Sequence, residues 1–323
     1  MSYLRFDKTL MTNLEDSLPK EVLRSNRSGA YSCSTIVDCN TRKYHGLLVV
    51  PVPELDQENH VLLSSLDATV IQHGAEFNLG LHKYSGDNFS PRGHKYIREF
   101  DSLKVPTTIY RVGGVILKKE QMFQHFEDRI IIRYTLVDAH SETTLRLQPF
   151  LAFRSVREYT HENSLASREY HEVQGGIRTC MYEGYPELFM QLDKENNFVY
   201  NPNWYKGVDK YLTIYRSKEW PSIAILCRVI VKIATINYTG YLNTISDRQI
   251  VARYNFRYWH IVTALHNSSS DTRCIYRWGL RAHKEHSNKK ASRLSSTDII
   301  YLIFTRKHRF KDKTFALRKR FFA

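Results

Sequence analysis

Between residues 1 and 216 the hydrophobic positions come in short runs, each closed by Gly, Pro, Asn or Asp. Ser34 to Val37, His45 to Val50, His60 to Gln72, Thr107 to Tyr110, Gly114 to Lys118, Arg129 to Val137 and Thr143 to Leu151 are rich in β-branched or aromatic side chains, which predicts strands. In Thr144-Leu145-Arg146-Leu147-Gln148 the alternation is strict, so Leu145 and Leu147 face a core and Arg146 faces solvent. A short helix is predicted from Leu14 to Leu23, stopped by a turn at Ser28-Gly29. Gly113-Gly114 and Gly175-Gly176 do not open a helix after a strand, so they read as turns and not as nucleotide-binding loops. Strands this closely spaced, with few helical stretches between them, predict a mainly β fold, an antiparallel β-sandwich.

Beyond residue 216 the pattern breaks. Ile223 to Ile236 is apolar, but Arg228 and Lys232 interrupt it on no consistent period, and neither a clean amphipathic helix nor a strand is predicted. Turn-formers vanish as well: the segment holds only Gly240 and Gly279 of 14 glycines and only Pro221 of 9 prolines. The formal charge of +14 suggests a polyanion partner until its location is counted. Residues 1–216 carry 26 basic and 27 acidic side chains, and residues 217–323 carry 21 and 6. The chain therefore divides into a β-sandwich domain, 1–216, and an irregular basic tail, 217–323. Simultaneous loss of glycine, proline and acids is what translation in a wrong reading frame produces, so a frameshift near residue 216 and a poorly ordered tail are expected. The competing reading makes the tail a polyanion binder through Lys289-Lys290, Arg306 to Arg309 and Arg318 to Arg320, although these charges form no repeat or nucleic-acid motif.

Other classes are excluded more simply. No apolar run approaches the roughly 18 residues of a membrane span, and Arg5, Asp7 and Lys8 stand where a secretory signal is apolar. Five cysteines without C-x-x-C spacing argue against a disulfide framework and a thiolate zinc site, and the chain reads as cytoplasmic. The 14 histidines are scattered without helical zinc spacing, so no metal is expected. G-x-S-x-G is absent, which removes the Ser-His-Asp hydrolase reading.

The informative stretch runs from Glu21 to Pro51, with Asn40-Thr41-Arg42-Lys43-Tyr44-His45-Gly46-Leu47-Leu48 at its centre. It resembles the opening motif of the N-terminal domain of bacterial and archaeal glycogen debranching enzymes of the amylo-α-1,6-glucosidase type. Family-like phrases follow in order at Val61 to Asp67, Ser90 to Ile97 and Leu145 to Arg154, so the resemblance covers about the first two-thirds of the chain. Cys39 replaces a small residue of the family pattern, and Val22 stands in place of a tryptophan. The resemblance implies a sandwich of the glycosidase N-terminal supersandwich type that packs against a C-terminal α/α-barrel. It implies glycogen or another branched α-glucan as partner, no cofactor, and hydrolysis of α-1,6-linked glucosyl stubs by inverting water attack. The paired carboxylates of that chemistry belong to the barrel in the family, so no catalytic acid is assigned here. A stand-alone carbohydrate-binding module is the alternative function.

Substrate contact is expected of Arg42, Tyr44 and His45. Asn40 and Thr41 hold a turn, Gly46 admits close backbone approach, and the three side chains are placed near a sheet end. The guanidinium offers a planar fork of donors, while the phenol and imidazole suit a glucose ring. In the opposing structural reading Arg42 pairs with Asp38, Tyr44 packs in the core and His45 donates to a backbone carbonyl. Asp67 reads as the end of a strand, with a buried acid at the domain seam as the alternative.

Overall fold

A computed structural model describes residues 4–208, 223–233 and 299–306, apart from 57, 85, 104, 194 and 195. The chain opens with strand β1 (Arg5–Asp7) and two short helices, α1 (Lys8–Thr12) and α2 (Leu14–Ser17). Strands β2 (Glu21–Ser25), β3 (Tyr31–Thr35), β4 (Gly46–Pro51), β5 (Asn59–Gln72), β6 (Ala75–Asn78), β7 (Leu81–Tyr84) and β8 (Asn88–Arg92) follow. After a 3-10 turn at Gly93–Tyr96 come β9 (Ile97–Asp101), β10 (Thr107–Val112), β11 (Val115–Phe123), β12 (Arg129–Asp138) and β13 (Thr143–Ser155). The last are β14 (His171–Val173), β15 (Gly176–Thr179), β16 (Leu188–Leu192), β17 (Asn197–Tyr205), β18 (Ile223–Ile233) and β19 (Ile299–Arg306).

These strands build the expected antiparallel β-sandwich. One sheet runs β1-β9-β10-β11-β12-β19-β16-β15-β14, and the other runs β17-β18-β13-β5-β4-β3-β2 with β6 added beside β5. Alternation explains the packing between them. Leu145 and Leu147 are fully buried in a core shared with Leu48 and Leu62 of the same sheet and with Leu117, Ile130 and Tyr134 of the other. Each such side chain contributes about 1.5–3 kcal/mol of hydrophobic stabilisation. The Gly113-Gly114 pair turns β10 into β11 with both residues at positive φ, +57° and +83°, as a two-residue hairpin needs. Among the described residues no helix is long and apolar enough to cross a membrane.

Three local expectations change. The helix ends at Ser17, just ahead of Pro19, and Glu21–Ser25 is strand β2, whose burial alternates with period 2. Asp67 does not end a strand: it sits inside β5 and is buried there. Finally, the sandwich takes in two strands beyond residue 216. β18 pairs with β13 and β17, and β19 with β12 and β16. Along β19, Ile300, Leu302 and Phe304 enter the core at 1–2% exposure while Tyr301 and Ile303 are half-buried, a period-2 pattern. Arg228, read as an interruption, donates through Nε to Gln148 Oε1 of β13 at 3.0 Å. Arg306, counted with the basic clusters, is buried, and its NH2 donates to both Glu54 oxygens at 2.9 Å. Lys289-Lys290, residues 307–309 and residues 318–320 lie outside the described residues.

Candidate functional site

The link between β3 and β4 is shaped by its own side chains. Thr35 Oγ1 both donates to the Cys39 carbonyl and accepts from the Cys39 N–H, at 3.0 Å each, which closes a turn with Asp38 at φ +58°. Asn40 then anchors the loop to β5: its Nδ2 donates to the Ser64 carbonyl at 2.7 Å while Ser34 Oγ donates to its Oδ1 at 2.8 Å. His45 N–H returns to the Arg42 carbonyl at 3.2 Å. At the loop's end Gly46 is required by close approach, because a Cβ there would lie 2.7 Å from methyls of both Val49 and Val61.

This loop brings Arg42, Tyr44 and His45 together on one residue that sequence reasoning missed, Glu21 of β2. Arg42 Nε donates to Glu21 Oε1 at 3.2 Å, and Tyr44 OH donates to Oε2 at 3.1 Å. His45 Nε2 lies 3.3 Å from Oε1. Arg42 thus pairs with Glu21 and not with Asp38, and Tyr44 is 43% exposed and not in the core. His45 is fully buried, so it faces Glu21 instead of a surface ligand. Its ring stands edge-on to Tyr44, with centroids 5.0 Å apart. The signal for Glu21 was available: after Pro19 the alternation Glu21-Val22-Leu23-Arg24-Ser25 is a strand pattern that the helix reading overrode.

Electrostatics follow from this geometry. Partial burial pushes the Glu21 carboxyl pKa upward, but His45, Tyr44 and Arg42 together outweigh it and hold the pKa below the usual carboxylate value. The Thr41 N–H donates to His45 Nδ1 at 3.0 Å, which fixes the neutral tautomer with hydrogen on Nε2, facing Glu21. Cys33 completes a group with Glu21 and His45 whose ligand atoms lie within 4.8 Å of one another. With Nδ1 accepting and Nε2 protonated, however, the imidazole keeps no lone pair for a cation, and burial raises the Cys33 thiol to about 11. The donor chemistry suits hydrogen bonding at the carboxylate better than ion coordination.

A second set of charges gathers around the buried Lys119, Asp67 and His82, with Asp38 part-exposed at its edge. Asp38 accepts from Lys119 Nζ at 2.8 Å, and Asp67 Oδ2 lies 2.9 Å from His82 Nε2. Burial alone lowers the Lys119 pKa, yet Asp38 overrides it and keeps the ammonium charged. The cavity bordered by Asp38, Asp67, Tyr110, Lys119 and Tyr134 has a volume of about 20 Å³, room for one water and far too little for a sugar ring.

The model of a family described as glycogen debranching enzyme N terminal matches residues 20–218. No curated protein matches the chain. The matched span starts one residue before Glu21 and includes every side chain of the rim cluster.

Proposed function

The chain belongs to the glycogen debranching enzyme N-terminal family, and from that premise we propose that it holds branched α-glucan at the rim formed by Glu21, Arg42 and Tyr44. The observation that carries this reading is the convergence of Arg42, Tyr44 and His45 on one accessible carboxylate, with the Tyr44 ring 43% exposed beside it. A carboxylate accepts from sugar hydroxyls, the guanidinium donates to them, and an open phenol ring takes the C–H face of a glucose. His45 supports the site from below by keeping Glu21 ionised and oriented.

In this reading the sandwich positions the substrate, while α-1,6 cleavage belongs to a separate α/α-barrel domain that supplies the two carboxylates. No cofactor is needed, and the free thiols Cys33, Cys39 and Cys180 suit a cytoplasmic setting. Calorimetry of the full chain with glycogen and with short branched maltooligosaccharides tests the proposal. Binding is expected, falling at least tenfold in Tyr44→Ala and in Glu21→Gln with little change in Tm. Failure of the wild-type chain to bind either ligand overturns it. Release of glucose from a phosphorylase-limit dextrin by the chain alone overturns the division of labour.

A further inference from the structure

The eight-stranded sheet carries a second open aromatic group at its opposite edge. Tyr200 of β17 is 48% exposed, and its ring lies 5.5 Å from that of Tyr170, tilted by 31°. The Tyr200 hydroxyl donates to the Arg168 carbonyl at 3.1 Å, which draws the segment before β14 against β17. Between them runs a narrow cleft bordered by Ser167, Arg168, Asn203 and Trp204. Arg168 is exposed and makes no ion pair among the described residues, and Asn203 uses its side-chain oxygen on the Trp204 N–H at 2.8 Å, so the amide nitrogen is the group it offers. Tyr170, Phe198 and Trp204 pack against the core, whereas the Tyr200 ring stays open beside planar polar donors.

We propose that Tyr170 and Tyr200, with Arg168 and Asn203 at their margin, form a second α-glucan subsite, a proposal that rests on the glucan-binding reading above. The open Tyr200 ring, backed by Tyr170, takes the C–H face of a glucose, and the flanking donors meet the hydroxyls of the same chain. The cleft, with a volume of about 20 Å³, is too small to enclose a sugar, so the chain lies across its mouth. β17 is five places from β3 in the sheet order, roughly 24 Å at about 4.8 Å per strand. A trisaccharide cannot bridge the two subsites, whereas a glycogen particle engages both and gains avidity of about a hundredfold or more.

The test is calorimetry of the full chain with maltotriose and with glycogen. Two maltotriose sites are expected in the wild type and one in Tyr200→Ala, with glycogen affinity at least tenfold lower. Tyr200→Phe, which keeps the ring and loses the bond to Arg168, retains both sites. Arg168→Ala, which leaves the backbone carbonyl in place, weakens the second site several-fold and covers the case in which Tyr200→Ala fails to fold. Unchanged maltotriose stoichiometry and glycogen affinity in Tyr200→Ala and Arg168→Ala overturn this subsite and leave the Glu21 rim standing. Equal loss in Tyr200→Phe and Tyr200→Ala shows a loop staple and also overturns it. No binding to the wild type overturns both readings.

Discussion

Glu21 and Asp38 flank the same loop and are almost equally accessible, with 26% and 30% of their side chains exposed. Their partners differ. Asp38 is held by Lys119, whose side chain is 6% exposed and reaches up from the interior, whereas Glu21 is held by the part-exposed Arg42, the exposed Tyr44 and one buried histidine. A carboxylate whose cation is buried cannot be released without stranding a charge, so it is structural. One whose partners stay wet can exchange some of their hydrogen bonds for those of a ligand at small cost. The burial of the partner, and not that of the acid, separates the two carboxylates.

The largest test of this contrast is Asp38→Asn. Asparagine tolerates the φ of +58° at this position, so the substitution removes charge without strain and leaves the Lys119 ammonium buried. Loss of about 3–5 kcal/mol is expected in urea denaturation, and a loss below about 1 kcal/mol breaks the comparison. Acid sharpens it next. Burial, with Lys95 and Arg92 nearby, lowers the His94 pKa from 6.5 to about 4. Below pH 6.5 the unfolded chain takes up a proton that the folded chain refuses, so stability falls between pH 6.5 and 4, by up to about 3 kcal/mol. Glu21, with its pKa depressed below 4.5, keeps its contribution above that value and loses it only as pH falls through the folded pKa. Tm at pH 5 should therefore drop while glucan affinity holds.

Gly80→Ala tests the interior sterically. Its Cβ would stand 2.2 Å from Asp67 Oδ2 and displace the pair with His82, costing about 1–3 kcal/mol by the same denaturation assay. Smallest in stability is Glu21→Gln, at under about 1 kcal/mol for an accessible ion pair, despite its predicted effect on binding. A Glu21→Gln loss as large as that of Asp38→Asn would erase the distinction.

The sandwich and most of its long strands were legible because alternation, β-branched residues and turn residues agree over stretches such as Arg129–Asp138 and Asn59–Gln72. The Asn40 to Leu48 segment was legible as a family motif and a turn, yet the carboxylate its side chains gather around was not. Glu21 lies 21 residues from Arg42 and meets it only through the β2–β3 pairing, a relation that local spacing does not carry. The short strands β14 and β15, of three and four residues, offer too little sequence for a period to register. β19 has a clear period, but it lies within a segment whose basic, glycine-poor composition points away from a folded domain. Composition averages over a hundred residues, whereas a strand needs only eight.

The placement of β19 has a consequence for biosynthesis. It is hydrogen-bonded between β12 and β16, strands that precede it by more than a hundred residues. At roughly 5–20 residues per second on the ribosome, those two strands emerge roughly 5–30 seconds before the one that separates them. Until then their facing edges are unpaired hydrogen-bonding rows, open to each other in a wrong register or to neighbouring nascent chains. A chaperone that shields strand edges during that interval is expected to raise the yield of native protein.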